Sequence, residues 1–440
     1  MTAVSAGRVD DLAVMLVLVG LAVAFVAVVR ARPGAGLVAY VASIGLVPVW
    51  IGVQVGVFVG AATAVGVGVL AALWRGSGIR LTVWDGLIVF AVGVTVVTWL
   101  AGYGDMAGAY GAATSWLVPY LVGRVLVARL GSRAVAACVA LVFLVVATLA
   151  VVEAATGQNL FVRMAMANPL YTQWGGIRMR GGLPRAEGAF GHAIPLGASL
   201  ALAVPFVWSS RLRPALRALT LVLVGVAAVV TYSRIGMLST VLALVLCVVV
   251  LGRHASRSFR GWTVVALVVG AALAARTALA VFAEAGDEAS GSADYRENLW
   301  SLLPSVDVLG RSSAAFTDAS GSGGWGDFRS IDNAVLMTGL TYGSLVVVLL
   351  LVMGAGALVG LVRGPRTPGG VAVVALLPGL TSVAFITQFT AFFWFVAGVA
   401  VAQAVAVPAA RRHAAADGDD TPAEVPARAV GELRPAAAAP

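Results

Sequence analysis

Thr231-Tyr232-Ser233-Arg234-Ile235-Gly236 carries the only charge between Arg217 and Arg253. About 35 residues, nearly all apolar, separate those two arginines. At roughly 1.5 Å of rise per helical residue, that length suits two short membrane crossings rather than one. Arg234 is therefore expected at the turn between them, at or just inside a membrane face. An arginine there is costly unless it meets an anionic partner. The identity of that partner is the main functional question the sequence raises.

The rest of the chain agrees with a polytopic, all-α membrane protein. Of 440 residues, 60% are hydrophobic and only 11% are charged, and the mean hydropathy is +0.97. Soluble domains carry about 25% charged residues. All 29 basic residues are arginines, and they give a net charge of +9. They punctuate apolar runs and form no continuous basic face, so nucleic acid is not an expected partner. Cys138 and Cys247 both lie within apolar runs and suggest neither a disulfide framework nor a metal site. Asp10 and Asp11 precede the first apolar run, which reads as a retained span rather than a cleaved leader.

Apolar runs recur at about 12–29, 36–52, 54–74, 84–101, 111–128, 134–155, 190–208, 215–232, 235–251, 262–283, 333–361, 370–387 and 388–407. The expectation is 12–13 transmembrane helices, because Pro48 and Trp50 could mark a short or re-entrant piece. Basic loops at Arg75/Arg80, Arg211/Arg213, Arg253/Arg257/Arg260, Arg363/Arg366 and Arg411/Arg412 fall on alternate connections and belong on the cytoplasmic side. The segments 156–189 and 284–332, the Ser233-Arg234 turn and the turn near Gln388 then lie outside. Residues 1–407 read as one transmembrane domain, and 408–440, rich in Ala, Pro and charge, as a disordered cytoplasmic tail.

Both long outer segments could carry chemistry. The smaller loop, 156–189, sets Arg163, Arg178, Arg180 and Arg185 against the single Glu187. It reads either as a solvated loop or as a cationic cradle for an anionic group, since the planar guanidinium fork suits phosphate. The large loop, 284–332, holds nine acidic residues against Arg296, Arg311 and Arg329. Its length points to a functional role, and its glycines point to an irregular, partly mobile stretch. His192 opens a span, as an interfacial polar group or as part of a site. Asp332-Asn333 precedes another span, where helix capping competes with a catalytic role. No metal-ligand cluster, P-loop, Rossmann fingerprint or defensible Ser-His-Asp pattern is visible, so no metal or other cofactor is expected.

Several ordered segments resemble the O-antigen ligase and polymerase superfamily of bacterial membrane glycosyltransferases. Leu117-Val118-Pro119-Tyr120-Leu121-Val122-Gly123-Arg124 looks like its arginine-ended span. Arg185-Ala186-Glu187-Gly188-Ala189-Phe190-Gly191-His192, running to Leu196-Gly197, is similar to its Arg-x-x-Gly-x-Phe-x-His/Asn segment. Thr231-Tyr232-Ser233-Arg234 resembles its Ser-Arg hairpin, and Arg296-Glu297-Asn298-Leu299-Trp300 the opening of its large outer loop. Asp332-Asn333, followed by Gly343, resembles the motif that closes that loop.

The resemblance implies a GT-C-like helical fold in the bacterial cytoplasmic (inner) membrane, with the active site facing outward. It implies transfer of a glycan from an undecaprenyl-diphosphate carrier to a glycan or lipid acceptor, without metal or nucleotide. On matching positions, Arg234, Arg296 and Asp332 would be catalytic. Arg185, His192, Arg124, Glu187 and Asn333 would bind substrate. Family ligases usually place His where Asp332 stands, and a second glycine where Val346 stands. Those departures favour a polymerase or a ligase-like transferase. The rival reading is a transporter or flippase for lipid-linked sugars, although no repeated halves are visible.

Overall fold

The computed structural model describes residues 3–284, 295, 297–317 and 323–416. The chain is mostly helical. In order it forms α1 (Ala3–Ala31), α2 (Pro33–Leu46), the hairpin β1 (Gly52–Val55) and β2 (Val57–Gly60), α3 (Ala61–Leu73), α4 (Val83–Leu100), α5 (Met106–Ala112) and α6 (Val118–Thr156). Then come α7 (Pro169–Trp174), a small hairpin of β3 (Met179–Arg180) and β4 (Leu183–Pro184), α8 (Ala193–Ser209), α9 (Pro214–Val230), α10 (Arg234–Val250) and α11 (Arg257–Glu284). The hairpin β5 (Ala315–Thr317) and β6 (Gly323–Trp325) is followed by α12 (Ala334–Tyr342), α13 (Ser344–Arg363), α14 (Pro368–Leu376) and α15 (Thr387–Ala416). All three hairpins are antiparallel.

Among the described residues, four helical stretches are long and apolar enough to cross a membrane: Val83–Leu100, Met106–Thr156, Ser344–Arg363 and Thr387–Ala406. Seven more apolar helices are shorter. The longest stretch is two arms rather than one rod. Gly131 sits at φ 79°, ψ 159°, a left-handed φ that glycine tolerates, and it reverses the chain between residues 130 and 132. The expected span at 333–361 also divides, because Gly343 (φ 94°) stops α12 and lets α13 start in a new direction. The apolar stretch 36–74 is interrupted by the β1–β2 hairpin, and the fully buried Trp50 stands just before it.

Helix α8 is apolar on every side and almost wholly buried, as expected of a core helix. It crosses α10 where Gly197 meets Gly236; a Cβ on Gly236 would come 2.9 Å from the Gly197 Cα, so only glycine permits this approach. The stack of Phe143 on Phe392, with centroids 4.7 Å apart, ties α6 to α15. Helix α13 buries only Val346 and Leu361 and leaves an apolar surface suited to lipid.

Chain reversals collect at two ends. At one, Gln388 donates to Val47 O, Arg185 to Thr231 O and the Trp50 indole to Met164 O. At the other, Arg124 donates to Arg80 O, Arg129 to Leu73 O and Arg253 to Arg366 O. We call these the loop end and the arginine end. The described part of the large loop is more ordered than its glycines suggest. Leu299, Leu302 and Ile331 form a small core with Leu336 and Leu340 of α12. Helix α15 continues to Ala416, past the expected boundary at 407, and 417–440 lies outside the described residues.

Candidate functional site

The site at the loop end rests on a buried carboxylate. Glu153, near the end of α6, accepts the backbone N–H groups of Glu187 (3.0 Å) and Gly188 (2.9 Å). Asn159 donates to the same carboxylate (2.9 Å) and to Gly188 O (3.1 Å). Gln388 donates to Ala189 O at 2.9 Å. Arg185 N donates to Arg178 O (3.0 Å) and Ala186 N to Val230 O (3.1 Å), which joins the β3–β4 hairpin to the end of α9. These bonds make much of 156–189 a folded cap rather than a solvated loop.

The cap brings arginines to the α9–α10 turn. Arg185 Nε donates to Thr231 O at 2.9 Å and Arg180 Nη1 to Tyr232 O at 3.1 Å. Tyr232 holds φ 46°, a left-handed conformation uncommon for a bulky side chain. Ser233 then caps α10 by accepting Gly236 N–H at 3.2 Å, and Arg234 is the first residue of that helix, with an exposed side chain. Arg178 donates to Gly191 O (2.8 Å), lies 3.5 Å from Glu187 and stands 5.4 Å over the Trp174 ring.

Electrostatics in this cluster are set by burial and crowding. Burial, and after it the positive charge of Arg180, lowers the Arg185 guanidinium to about 10; Asp332 is near enough to oppose that shift. Arg185 Nη2 is buried and has no hydrogen-bond partner among the described residues. Glu187 is 1% exposed, and burial pushes its carboxyl up to about 8 despite the nearby Arg178. Burial, with Arg178 and Arg185 behind it, lowers His192 to about 3. A neutral His192 accepts Ile194 N–H at Nδ1 (3.2 Å), so Nε2 carries the proton and can only donate.

Asp332 and Asn333 divide the roles left open by the sequence. Asn333 is the cap of α12, accepting Leu336 N–H at 2.9 Å. Asp332 is half-buried and lies within electrostatic reach of Arg185 and of Tyr295. The starts of α8, α10 and α12 therefore meet at this end, each adding partial positive charge to that of the arginines. Such a setting receives an anion readily.

Six of the expected site residues thus come together: Arg234, Arg185, Glu187, His192, Asp332 and Asn333. Arg296 lies outside the described residues. Arg124 is not in the cluster. Its Nε lies 2.8 Å from Asp85 Oδ1 and its Nη2 3.0 Å from Oδ2, while Nη2 also donates to Arg80 O at 2.6 Å. Tyr120 donates to the same carboxylate at 2.9 Å. This buried group sits toward the arginine end, a few turns from Gly131, and has the bonding of a structural ion pair. Glu153 was overlooked in the sequence, although it is the only charge in the apolar run 134–155.

No family model, curated protein or solved structure matches the chain.

Proposed function

We propose that the chain is a membrane glycosyltransferase that takes a glycan from an undecaprenyl-diphosphate carrier. The observation that carries this reading is the buried Nη2 of Arg185, without a hydrogen-bond partner among the described residues, amid Arg178, Arg180 and the α9–α10 turn that bears Arg234. A cluster of guanidinium groups among helix N-termini suits a diphosphate better than a neutral or cationic ligand. The arginines would neutralise charge on the departing diphosphate, where preorganised electrostatics contribute most. Asp332 would accept the proton of the attacking hydroxyl. The acceptor oxygen bonds to the anomeric carbon, the bond from that carbon to the phosphate oxygen breaks, and the diphosphate leaves with the electron pair.

The concentration of Arg75, Arg80, Arg124, Arg129, Arg253 and Arg366 at the arginine end supports a cytoplasmic position for that end and an outward-facing site. A bacterial inner membrane, 12–13 crossings and a GT-C-like arrangement belong to the same proposal, as does a polymerase or ligase-like role.

Purified protein supplied with undecaprenyl-diphosphate-linked oligosaccharide tests the reading. Glycan transfer or chain growth that is lost in Arg185→Ala and Arg234→Ala supports it. Carrier flipping in vesicles without transfer would establish the transporter instead.

A further inference from the structure

A second site of opposite character lies at the loop end. A cleft of about 670 Å3 opens between the α4–α5 turn and the described part of the large loop. Its volume falls within the usual range for ligand pockets, about 300–1,000 Å3. Tyr103, Asp105, Asp307, Arg311, Ser313 and Phe316 line it. Tyr103 is 69% exposed and Asp307 is also exposed. Among the described residues, two carboxylates against one guanidinium leave the cleft lining net negative, which disfavours a diphosphate.

The cleft is built rather than accidental. Arg311 N donates to Tyr103 O at 2.7 Å, and Arg311 Nη1 lies 3.0 Å from Asp105 Oδ2. Gly310 (φ 85°) packs against the Tyr103 carbonyl so closely that a Cβ would come 2.1 Å from its oxygen. Ser312 Oγ donates to Ser305 O at 2.6 Å. Ser344 N donates to Asp307 O (2.9 Å) and Leu345 N to Val308 O (3.1 Å), so the start of α13 holds the opposite wall. A site fixed in this way loses little entropy when it binds.

Helix α12 connects the cleft with the cationic cluster. Asp332 stands just before its first turn. At its other end the Leu340 and Tyr342 carbonyls accept the N–H groups of Ser312 (2.8 Å) and Gly310 (3.2 Å). Nine helical residues span about 13 Å, which a short oligosaccharide can bridge.

We propose that this cleft binds an uncharged glycan chain, the acceptor, and directs its end along α12 toward Asp332. Carboxylates accept hydrogen bonds from sugar hydroxyls, Arg311 and Ser313 donate to sugar oxygens, and the open Tyr103 ring offers an apolar face to a pyranose. The acceptor role rests on the transferase reading; saccharide binding at the cleft does not.

The test titrates full-length protein in nanodiscs with maltotetraose, cellotetraose, mannotetraose and chitotetraose, read by saturation-transfer NMR. At least one is expected to bind, and Tyr103→Ala and Asp307→Asn are each expected to weaken it at least tenfold. Both side chains are exposed, so these variants should fold, which thermal unfolding checks. Arg185→Ala should leave saccharide binding intact. No binding by the wild type, or binding unchanged in both cleft variants, overturns the proposal. Saccharide binding at the cleft without undecaprenyl diphosphate binding at the arginines would keep the cleft and remove the transferase reading.

Discussion

Arg124 and Arg185 are both arginines in a protein built largely from apolar helices, and they solve the cost of burial in opposite ways. Arg124 has its Nε and Nη2 committed to Asp85 and to Arg80 O, and Tyr120 and Thr82 also donate to that carboxylate. The Arg185 side chain makes one hydrogen bond among the described residues, to Thr231 O, sits among Arg178, Arg180, Glu187 and Asp332, and keeps a buried nitrogen with no partner there. The difference teaches that an arginine near a membrane is informative through its unused donors rather than through its presence. A closed group holds helices together; an open one keeps a donor available.

The largest expected effect is at the closed group. Arg124→Ala leaves Asp85 buried without its charge partner, which costs about 3–5 kcal/mol. Thermal unfolding in detergent should show a large loss of stability. An Asp85→Asn/Arg124→Met pair should recover part of it, because the uncompensated buried charge is removed while the amide oxygen can still accept from Thr82 in the α4 cap and from Tyr120. A pair no more stable than Arg124→Ala alone would mean that the unpaired charge of Asp85 is not the source of the loss.

Arg185→Ala should invert that pattern. It loses one hydrogen bond, about 1 kcal/mol, so unfolding changes little. Transfer should fall about 10²–10³-fold, the usual consequence of removing one preorganised donor. Equal losses of stability in the two arginine variants would erase the contrast.

Glu153→Ala tests how the open group is held. Two backbone N–H groups and Asn159 lose their acceptor, for about 1–3 kcal/mol. Hydrogen exchange should rise at Glu187 and Gly188 more than at the α4–α6 contact; uniform exchange would mean that Glu153 does not hold the cap.

The smallest effect is a pH dependence. Burial raises the Glu187 carboxyl from 4.5 to about 8. Below about 4.5 both folded and unfolded states carry the proton, so the group takes nothing from stability. Between about 4.5 and 8 the unfolded state ionises first, and stability falls as pH rises. Glu187→Gln should flatten that decline in melting curves at pH 5 and pH 8.5. An unchanged slope would locate the dependence elsewhere.

Much of this contrast was legible in the sequence, and some was not. The lone charge of Arg234 marked the turn between α9 and α10, because apolar length alone sets where two short helices must reverse. The arginine-rich connections likewise separated the two ends. The partner of Arg124 was hidden because Asp85 lies 39 residues away on another helix. The order in 156–189 was hidden for a similar reason: its acceptors, Glu153, Val230 and Thr231, come from three helix ends or turns that only the tertiary fold assembles. Asp332 and Asn333 were both candidates for cap and for chemistry, and only geometry gives the cap to Asn333.

The most direct test of the open arginine cluster is a binding titration. Wild type, Arg185→Ala and Arg234→Ala in nanodiscs are titrated with undecaprenyl diphosphate and, in parallel, with undecaprenol, which has the same tail and no phosphate. Tight binding of the diphosphate by the wild type, weakened at least tenfold in both variants and with undecaprenol affinity unchanged, is the predicted result. Equal affinity of the wild type for both lipids, or diphosphate binding indifferent to both substitutions, would contradict it.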